Sequence, residues 1–200
     1  MKHAPPKLHL ASASPRRRDI LTALGLTFTY AGVDADESRL AEETPAQMVV
    51  RLAALKARAA SEPGEGRVIL GADTAVALGD RIFDKPADEA EAVDILLQLS
   101  GRSHEVLTGV AVQSDNRVET LLSCSKVRFR DIDPAEASDY WHSGEPADKA
   151  GGYAIQGLGA VFVAELQGSY SGVVGLPVFE TAAALGRAGV AVLGTARTKA

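Results

Sequence analysis

The sequence predicts an α/β protein, and three observations support this class. Apolar runs typical of buried strands, such as Leu8–Ala11 and Val68–Leu70, alternate with amphipathic stretches typical of helices. Several helical stretches begin at a side chain that can cap a helix. The length of 200 residues suits one domain, or a single two-lobed unit, with a sizeable core.

Composition and charge exclude several classes of function. The net charge of -5 and the low aromatic content disfavour binding to nucleic acid or to an anionic membrane. Cys124 is the only cysteine, and the four histidines lack metal-ligand spacing. No apolar run reaches the roughly 18 residues that a membrane helix needs, and the first ten residues lack a signal-peptide core. We therefore expect a cytoplasmic protein.

The first helix start carries unusual charge. The strand Leu8–Ala11 leads to Ser14 and Pro15, which suit the N-cap and the first helical position, because the serine oxygen can accept a backbone N–H and proline has none to lose. The arginines at 16, 17 and 18 then fall in the first turn, where the helix dipole favours Asp or Glu. A bound phosphate would make this arrangement favourable. Three solvated surface arginines are the alternative.

Further charges surround the next predicted helix. After a strand at Thr27–Ala31, the stretch Val33–Glu37 carries clustered carboxylates on a predicted loop, where acidic side chains are most often simply solvated. Thr44 and Gln47 form a capping-box pattern that opens a helix. Lys56 falls on the apolar face of that helix. Its ammonium either reaches past the core edge to solvent or points at an internal anion.

Asp73 interrupts an apolar stretch that runs from Arg67 to Leu78. The run Val68–Leu70 is typical of a central strand covered on both faces. A carboxylate in such surroundings must be paired, protonated or bound to a metal, because burying it alone is too costly. Open α/β sheets place their chemistry at strand ends, which favours a functional Asp73 over one that only satisfies nearby backbone.

The second half of the chain contains a candidate binding loop. Ser143–Gly159 is rich in glycine, which lets backbone approach a ligand closely, and it contains Gln156. Lys85 stands before a proline in an extended conformation. The remaining predicted elements are a helix capped by Asp88, strands at His104–Val112 and Val118–Arg130, a helix capped by Asp133, a hairpin at Val161–Leu166 that turns at Gln167-Gly168, a helix from Leu176-Pro177, a short strand near Val190–Leu193 and a frayed tail from Gly194 to Ala200.

Three familiar motifs are missing. The chain has no GxxxxGK[ST] phosphate loop, and Gly157-Leu158-Gly159 lacks the third glycine of a dinucleotide fingerprint. Gly168–Gly172 has the outline of a nucleophile elbow, but Tyr170 occupies the position that the serine would need.

Seven weaker motifs nevertheless follow one another along the chain. They are Ser12–Arg17, Asp36-Glu37, Gly71–Thr74, Lys85-Pro86, Asp148–Gly151, Ile155–Gly157 and Gly168–Pro177. Together they closely resemble the Maf family of nucleoside triphosphate pyrophosphatases, over about residues 8–193. Ala72–Thr74 and the run from Asp148 to Gln156 resemble the branch of that family that acts on dTTP and UTP.

The resemblance implies a single Maf-like domain with a mixed central sheet flanked by helices, of the Maf/ITPase-like type, with a cleft between two lobes. It also implies a divalent cation, Mg²⁺ or Mn²⁺, and usually a homodimer. Within the family pattern, Asp73 is the proton acceptor for the attacking water. Arg16, Thr74 and Gln156 are specificity positions.

Combined with the chemistry of the residues, the resemblance gives a hypothesis for the site. Cations and donors at the phosphates are assigned to Ser12, Ser14, Arg16, Arg17, Lys56 and Lys85. Glu37 and Asp73 supply the hard oxygen ligands that Mg²⁺ or Mn²⁺ prefers. Whether Asp73 acts chiefly as a base or as a metal ligand stays open.

Two functions remain from the sequence. One is hydrolysis of dTTP and UTP, and also of modified pyrimidine nucleotides, to the monophosphate and pyrophosphate. The other is a nucleotide-sensing regulatory protein, linked to cell division, that binds without turnover. A buried carboxylate beside a metal site is costly for binding alone, which favours the enzyme.

Overall fold

The computed structural model describes residues 8–60, 66–115 and 117–193. The chain divides into two compact units. Unit 1 contains the described residues of Met1–Asp73, Thr108–Leu122 and Gly175–Ala200, and unit 2 contains those of Thr74–Leu107 and Ser123–Val174. The predicted tail from Gly194 to Ala200 lies outside the described residues.

The described strands form one mixed sheet, which confirms the predicted fold class. The strands are β1 Leu8–Ala11, β2 Phe28–Ala31, β3 Val68–Leu78, β4 Arg81–Phe83, β5 Ser103–Ser114, β6 Arg117–Phe129 and β7 Val163–Gln167. Their order across the sheet is β2-β1-β3-β5-β6-β7, with β4 paired to β3. Strand β1 pairs in parallel with β2 and β3, whereas the β3–β4 and β6–β7 pairs are antiparallel.

Helices connect and cover these strands. They are α1 Pro15–Ala23, α2 Pro45–Ala59, α3 Glu89–Leu99, α4 Pro134–His142, α5 Tyr170–Val174 and α6 Val178–Arg187. Short 3-10 turns occupy Pro146–Asp148, Ala150–Gly152 and Leu158–Phe162. Within the described ranges, no helix has the length and apolar character needed to cross a membrane.

Helix capping follows the sequence prediction at three of the four helix starts considered. Thr44, Asp88 and Asp133 each accept a backbone N–H of the helix that follows. Ser14 occupies the N-cap position of α1, but its side chain makes no capping hydrogen bond, so that part of the prediction was wrong. Instead, the Ser14 N–H donates to Ser12 Oγ at 3.2 Å, and Ser12 fixes the turn into the helix.

Two predictions about the C-terminal third were wrong. Strand β7 pairs with β6, and the chain then enters α5 rather than a second hairpin strand, because Ser169 Oγ accepts the Gly172 N–H at 3.0 Å. The stretch Val190–Leu193 forms no strand. The Val190 N–H donates to Leu185 O at 2.8 Å, which closes the end of α6, and the Val190 side chain packs on the core of unit 1.

Helix α2 lies unusually close to the sheet in unit 1. A Cβ atom placed on Gly71 of β3 would lie 2.2 Å from the Ala53 carbonyl oxygen, and one on Gly109 of β5 would lie 2.2 Å from the Val49 carbonyl oxygen. Any side chain at either position would therefore collide with the backbone of α2. The two glycines bring α2, and with it Lys56, against the strand that carries Asp73.

The core of unit 2 encloses a buried histidine. His104 Nε2 lies 2.8 Å from the Tyr153 hydroxyl oxygen, and the ring contacts Phe129 edge-on with centroids 4.8 Å apart. The side chain is almost completely buried. Burial lowers the pKa of His104 from 6.5 to about 4.

The low pKa of His104 predicts a loss of stability in acid. The unfolded chain binds a proton at His104 below about pH 6.5, and the folded protein does so only below about pH 4. The contribution of His104 to the free energy of unfolding is therefore complete above about pH 6.5. It falls by up to about 3 kcal/mol as the pH drops from 6.5 to about 4. Urea unfolding from pH 7 to pH 4 measures this loss. His104→Gln should be less stable at pH 7 but should decline less steeply, and an equal slope in both proteins would contradict the assignment.

Candidate active site

Three charged side chains of unit 1 meet between helix α2, strand β3 and the loop before α2. Lys56 Nζ lies 2.7 Å from Asp73 Oδ1 and 3.0 Å from Glu37 Oε2. The side chains of Lys56 and Asp73 are 11% and 13% exposed, whereas that of Glu37 is 51% exposed. The two carboxylates proposed as metal ligands therefore share one ammonium group, which lies at the edge of solvent.

The course of β3 explains the position of Asp73. The parallel pairing of β3 with β1 ends at Leu70, and β3 continues to Leu78, pairing with β4 from Val76. The sequence suggested that Asp73 lies at the end of a strand. In the structure it lies within a long strand. It does lie just past the end of the parallel segment, where the neighbouring strand stops and a side chain can face a ligand.

Arg17 adds a buried positive charge to unit 1. Its Nε donates to the Gly175 carbonyl oxygen at 2.8 Å, and its Nη1 donates to Ser12 Oγ at 3.1 Å. Burial lowers the Arg17 pKa below its usual value, while the nearby carboxylates of Asp73 and Glu37 raise it. An arginine remains charged in these surroundings, so the positive charge is fixed in place.

The other residues at the start of α1 differ in their surroundings. Arg16 and Ser14 are half-buried, and the Ser14 side chain makes no capping hydrogen bond to the helix. Arg18 turns away, with its guanidinium carbon 4.5 Å from the centre of the Tyr30 ring. The three consecutive arginines therefore do not form one cluster, and Arg16 and Arg17 remain the candidates for an anion.

Three predicted site residues belong to unit 2. Thr74 follows Asp73 in β3 and is half-buried, and Lys85 is exposed after β4. Gln156 is exposed in the turn between two 3-10 segments. The backbone around that turn is fixed, because Glu145 accepts the N–H groups of Leu158 and Gly159 at 3.0 and 2.9 Å.

Glu145 itself is strongly engaged within unit 2. The Tyr140 hydroxyl donates to its Oε1 at 2.6 Å. Burial raises the Glu145 pKa, but this hydrogen bond and those from the backbone outweigh burial and leave the pKa below its usual value. A Cβ atom on Gly157 would overlap the same carboxylate. Glu145 is thus held as an anion that shapes the turn carrying Gln156.

The cluster of unit 1 fits a divalent cation of the Mg²⁺ type. Two carboxylate oxygens already converge on one cationic nitrogen, and Mg²⁺ is commonly bound by one or two carboxylates together with substrate phosphates. Among the described residues, no group of three or more His, Cys, Asp or Glu side chains could hold a metal ion by itself. The donor set therefore suits an ion that is shared with a phosphate ligand.

Sequence reasoning missed three residues that hold the backbone near Glu37 or Gln156 in place. Glu43, Arg51 and Glu145 carry no motif signal, since an acidic or basic residue beside a loop is usually solvated. The structure shows Glu43 buried and paired with Arg51, and Glu145 half-buried and hydrogen-bonded to the Tyr140 hydroxyl. Only their contacts across the chain distinguish them from ordinary surface charges.

The fold is that of a mixed α/β protein. The charged cluster in unit 1 contains both carboxylates and an ammonium group, so it is suited to bind a cation together with an anionic ligand. The model of the Maf-like protein family matches residues 7–188, so the chain belongs to that family. The predicted resemblance is confirmed.

The chain is also similar to individual proteins. The chain is 52% identical over 179 residues to the dTTP/UTP pyrophosphatase of Saccharophagus degradans, covering 87% of this chain and 85% of the relative. It is 50% identical over 192 residues to the protein of the same name from Methylococcus capsulatus, covering 96% and 94%. Among solved structures, the Ham1 protein of Staphylococcus aureus matches with a TM-score of 0.41 and 11% identity, covering 62% of this chain and 71% of the other.

Proposed function

We propose that the protein hydrolyses dTTP and UTP to the nucleoside monophosphate and pyrophosphate with the help of a divalent cation. The observation that carries the proposal is the convergence of Glu37 and Asp73 on Lys56, with both carboxylates close enough to raise the pKa of the buried Arg17. The names of the relatives in the Maf-like family supply the substrate class.

The chemistry requires stabilisation of negative charge more than a covalent nucleophile. Water attacks the α-phosphorus, the bond from that phosphorus to the bridging oxygen breaks, and pyrophosphate departs with the bonding electrons. In the role of base, which is one of the two roles considered for it, Asp73 accepts the proton of the attacking water. The negative charge on the phosphates is neutralised by Lys56, Arg16, Arg17 and Lys85. The phosphates also accept hydrogen bonds from the donors of Ser12 and Ser14.

A divalent cation, Mg²⁺ or Mn²⁺, held by Glu37 and Asp73 would supply Lewis acidity at the phosphate oxygens. Lys56 now neutralises both carboxylates, at 2.7 and 3.0 Å. Its ammonium would turn towards the phosphates when another cation takes its place. The long flexible lysine side chain suits such a movement.

Recognition of the base is assigned to Arg16, Thr74 and Gln156. Uracil and thymine present a donor at N3 beside an acceptor at O4, and a glutamine amide offers the complementary pair. Cytosine reverses both groups, so an amide oriented for uracil would lose both hydrogen bonds to the base.

Gln156→Ala is therefore expected to lower the preference for UTP over CTP. The measurement is kcat/KM for both substrates in the wild type and the variant. Gln167→Ala, a glutamine in strand β7, is the matched control and should leave the ratio unchanged. An unaltered ratio in Gln156→Ala would remove this residue from base recognition.

The proposal is tested by measuring pyrophosphate release from dTTP, UTP, CTP, dATP, GTP and 7-methyl-GTP, with Mg²⁺ or Mn²⁺ and with EDTA. We expect metal-dependent release of pyrophosphate from dTTP and UTP. Release of single phosphates would contradict the site of cleavage. Nucleotide binding without any release would favour the sensor function instead.

We also propose that the protein is a cytoplasmic homodimer that binds neither nucleic acid nor membrane. The net charge of -5 supports the last two statements, because no overall positive charge attracts a polyanion. Light scattering in solution tests the dimer.

Modified pyrimidine nucleotides that keep the N3 and O4 groups are further candidate substrates.

A further inference from the structure

The ion pair between Glu43 and Arg51 joins the loop that carries Glu37 to helix α2. Arg51 Nε donates to Glu43 Oε1 at 2.6 Å, and Arg51 Nη2 donates to Glu43 Oε2 at 2.7 Å. This two-bonded geometry fixes direction as well as distance. The Glu43 side chain is only 7% exposed, so the pair is better shielded than an ordinary surface salt bridge.

The same two residues also hold the backbone next to Glu37. Arg51 Nη2 donates to the carbonyl oxygen of Ser38, the residue after Glu37, at 3.0 Å. The Leu40 N–H donates to Glu43 Oε2 at 3.2 Å, and the Arg39 guanidinium donates twice to the Glu43 carbonyl oxygen. These bonds replace the regular hydrogen bonding that the loop lacks.

The loop conformation is strained at the point where it meets this ion pair. Glu42 has a φ of 59°, in the left-handed region that costs a non-glycine residue about 1 kcal/mol or more. Such a conformation persists only where surrounding contacts hold it. Glu43, the next residue, makes those contacts through both its side chain and its carbonyl oxygen.

We propose that Glu43 and Arg51 are positioning residues that hold Glu37 in place opposite Asp73 for the divalent cation. The proposal rests on the proposed function, because it concerns the cation of that site. Glu37 is half exposed, and its 3.0 Å contact with Lys56 lies directly before the backbone that Glu43 and Arg51 hold at Ser38 and Leu40. The ion pair thus holds the backbone that follows Glu37, while Glu43 and Arg51 themselves lie outside the ion pairs of Lys56 with Glu37 and Asp73.

Loss of the clamp formed by Glu43 and Arg51 should weaken the cation site more than the fold. Residues that orient metal ligands typically cost about 10–100-fold in metal affinity when they are changed. We expect Glu43→Gln and Arg51→Lys each to weaken Mn²⁺ binding by about this factor. Binding is measured by the electron paramagnetic resonance signal of unbound Mn²⁺, with Mn²⁺ as the only added ligand, and folding is checked by thermal unfolding. Arg51→Lys keeps the charge and loses only the planar fork, so it remains informative where Glu43→Gln is unstable.

A matched control lies elsewhere in unit 1. Arg187 of α6 also contacts both carboxylate oxygens of Glu119 on β6, far along the chain from the loop. Glu119→Gln should leave Mn²⁺ affinity unchanged. A general effect of removing any paired carboxylate would lower the affinity in this control as well, and that would overturn the proposal.

A double-mutant cycle separates positioning from a direct role. In a Glu37→Gln background, Glu43→Gln should cause little further loss of Mn²⁺ affinity, because the group being positioned is already gone. Fully additive losses, or wild-type affinity in both clamp variants, would overturn the clamp and leave the proposed function standing. A wild-type protein that neither binds Mn²⁺ nor releases pyrophosphate would contradict the proposed function itself, and the clamp with it.

Discussion

Asp73→Asn is expected to lower turnover of dTTP and UTP by about 10²–10⁴, the usual cost of losing a general base. The change keeps the shape of the side chain and removes its charge. Lys56 keeps its second partner, Glu37, at 3.0 Å, so the protein should still fold. Pyrophosphate release and thermal unfolding measure the two effects separately. A variant that keeps more than about a tenth of wild-type turnover would show that Asp73 is not the base.

The same variant distinguishes the two roles considered for Asp73. A general base that is not a ligand can be lost without changing Mn²⁺ affinity, whereas a ligand cannot. Asp73→Asn with low turnover and unchanged Mn²⁺ binding would indicate the base, and weak binding would indicate the ligand. Asp80→Asn, an exposed aspartate in the turn after β3, is the control and should change neither quantity.

Lys56→Met is expected to lower turnover by about 10²–10³, the effect of removing one group that stabilises transition-state charge. It should at the same time strengthen Mn²⁺ binding when no nucleotide is present. The ammonium that now neutralises Glu37 and Asp73 would no longer compete with the metal ion for these two carboxylates. Steady-state kinetics should therefore show a lower turnover in Lys56→Met, and direct binding measurements should show a higher Mn²⁺ affinity.

The control for Lys56 lies two residues further along α2. Arg58 is exposed, and Arg58→Met removes a positive charge from the same helix outside the cluster. It should leave turnover and Mn²⁺ binding near their wild-type values. If Lys56→Met left Mn²⁺ affinity unchanged, the lysine would not occupy the place of the cation, and its role would be confined to the phosphates.

Local patterns predicted most of the secondary structure. Strand β1 and the capped helices α2, α3 and α4 each follow from a few neighbouring residues. The errors occurred where two local preferences compete. Val190–Leu193 has the composition of a strand, but Val190 serves better as the apolar contact that ends α6.

The candidate site was predictable only in its types of residue. Asp73 and Lys56 stood out because a charge in an apolar stretch needs a partner, and each proved to be the partner of the other at 2.7 Å. The pairing itself depends on Gly71 and Gly109, which let α2 approach β3 and β5. Close packing between elements distant in the chain leaves no local signature.

The sequence by itself determined the fold class, the family and the chemical character of the site, because strand and helix periodicity, capping and charge in apolar surroundings are local properties. The tertiary structure alone decided which charges face one another. It separated Arg18 from Arg17, placed Lys56 between two carboxylates, and joined Glu43 to Arg51 behind Glu37. Electrostatic interactions depend on distance and burial, and both are set by how helix and strand pack.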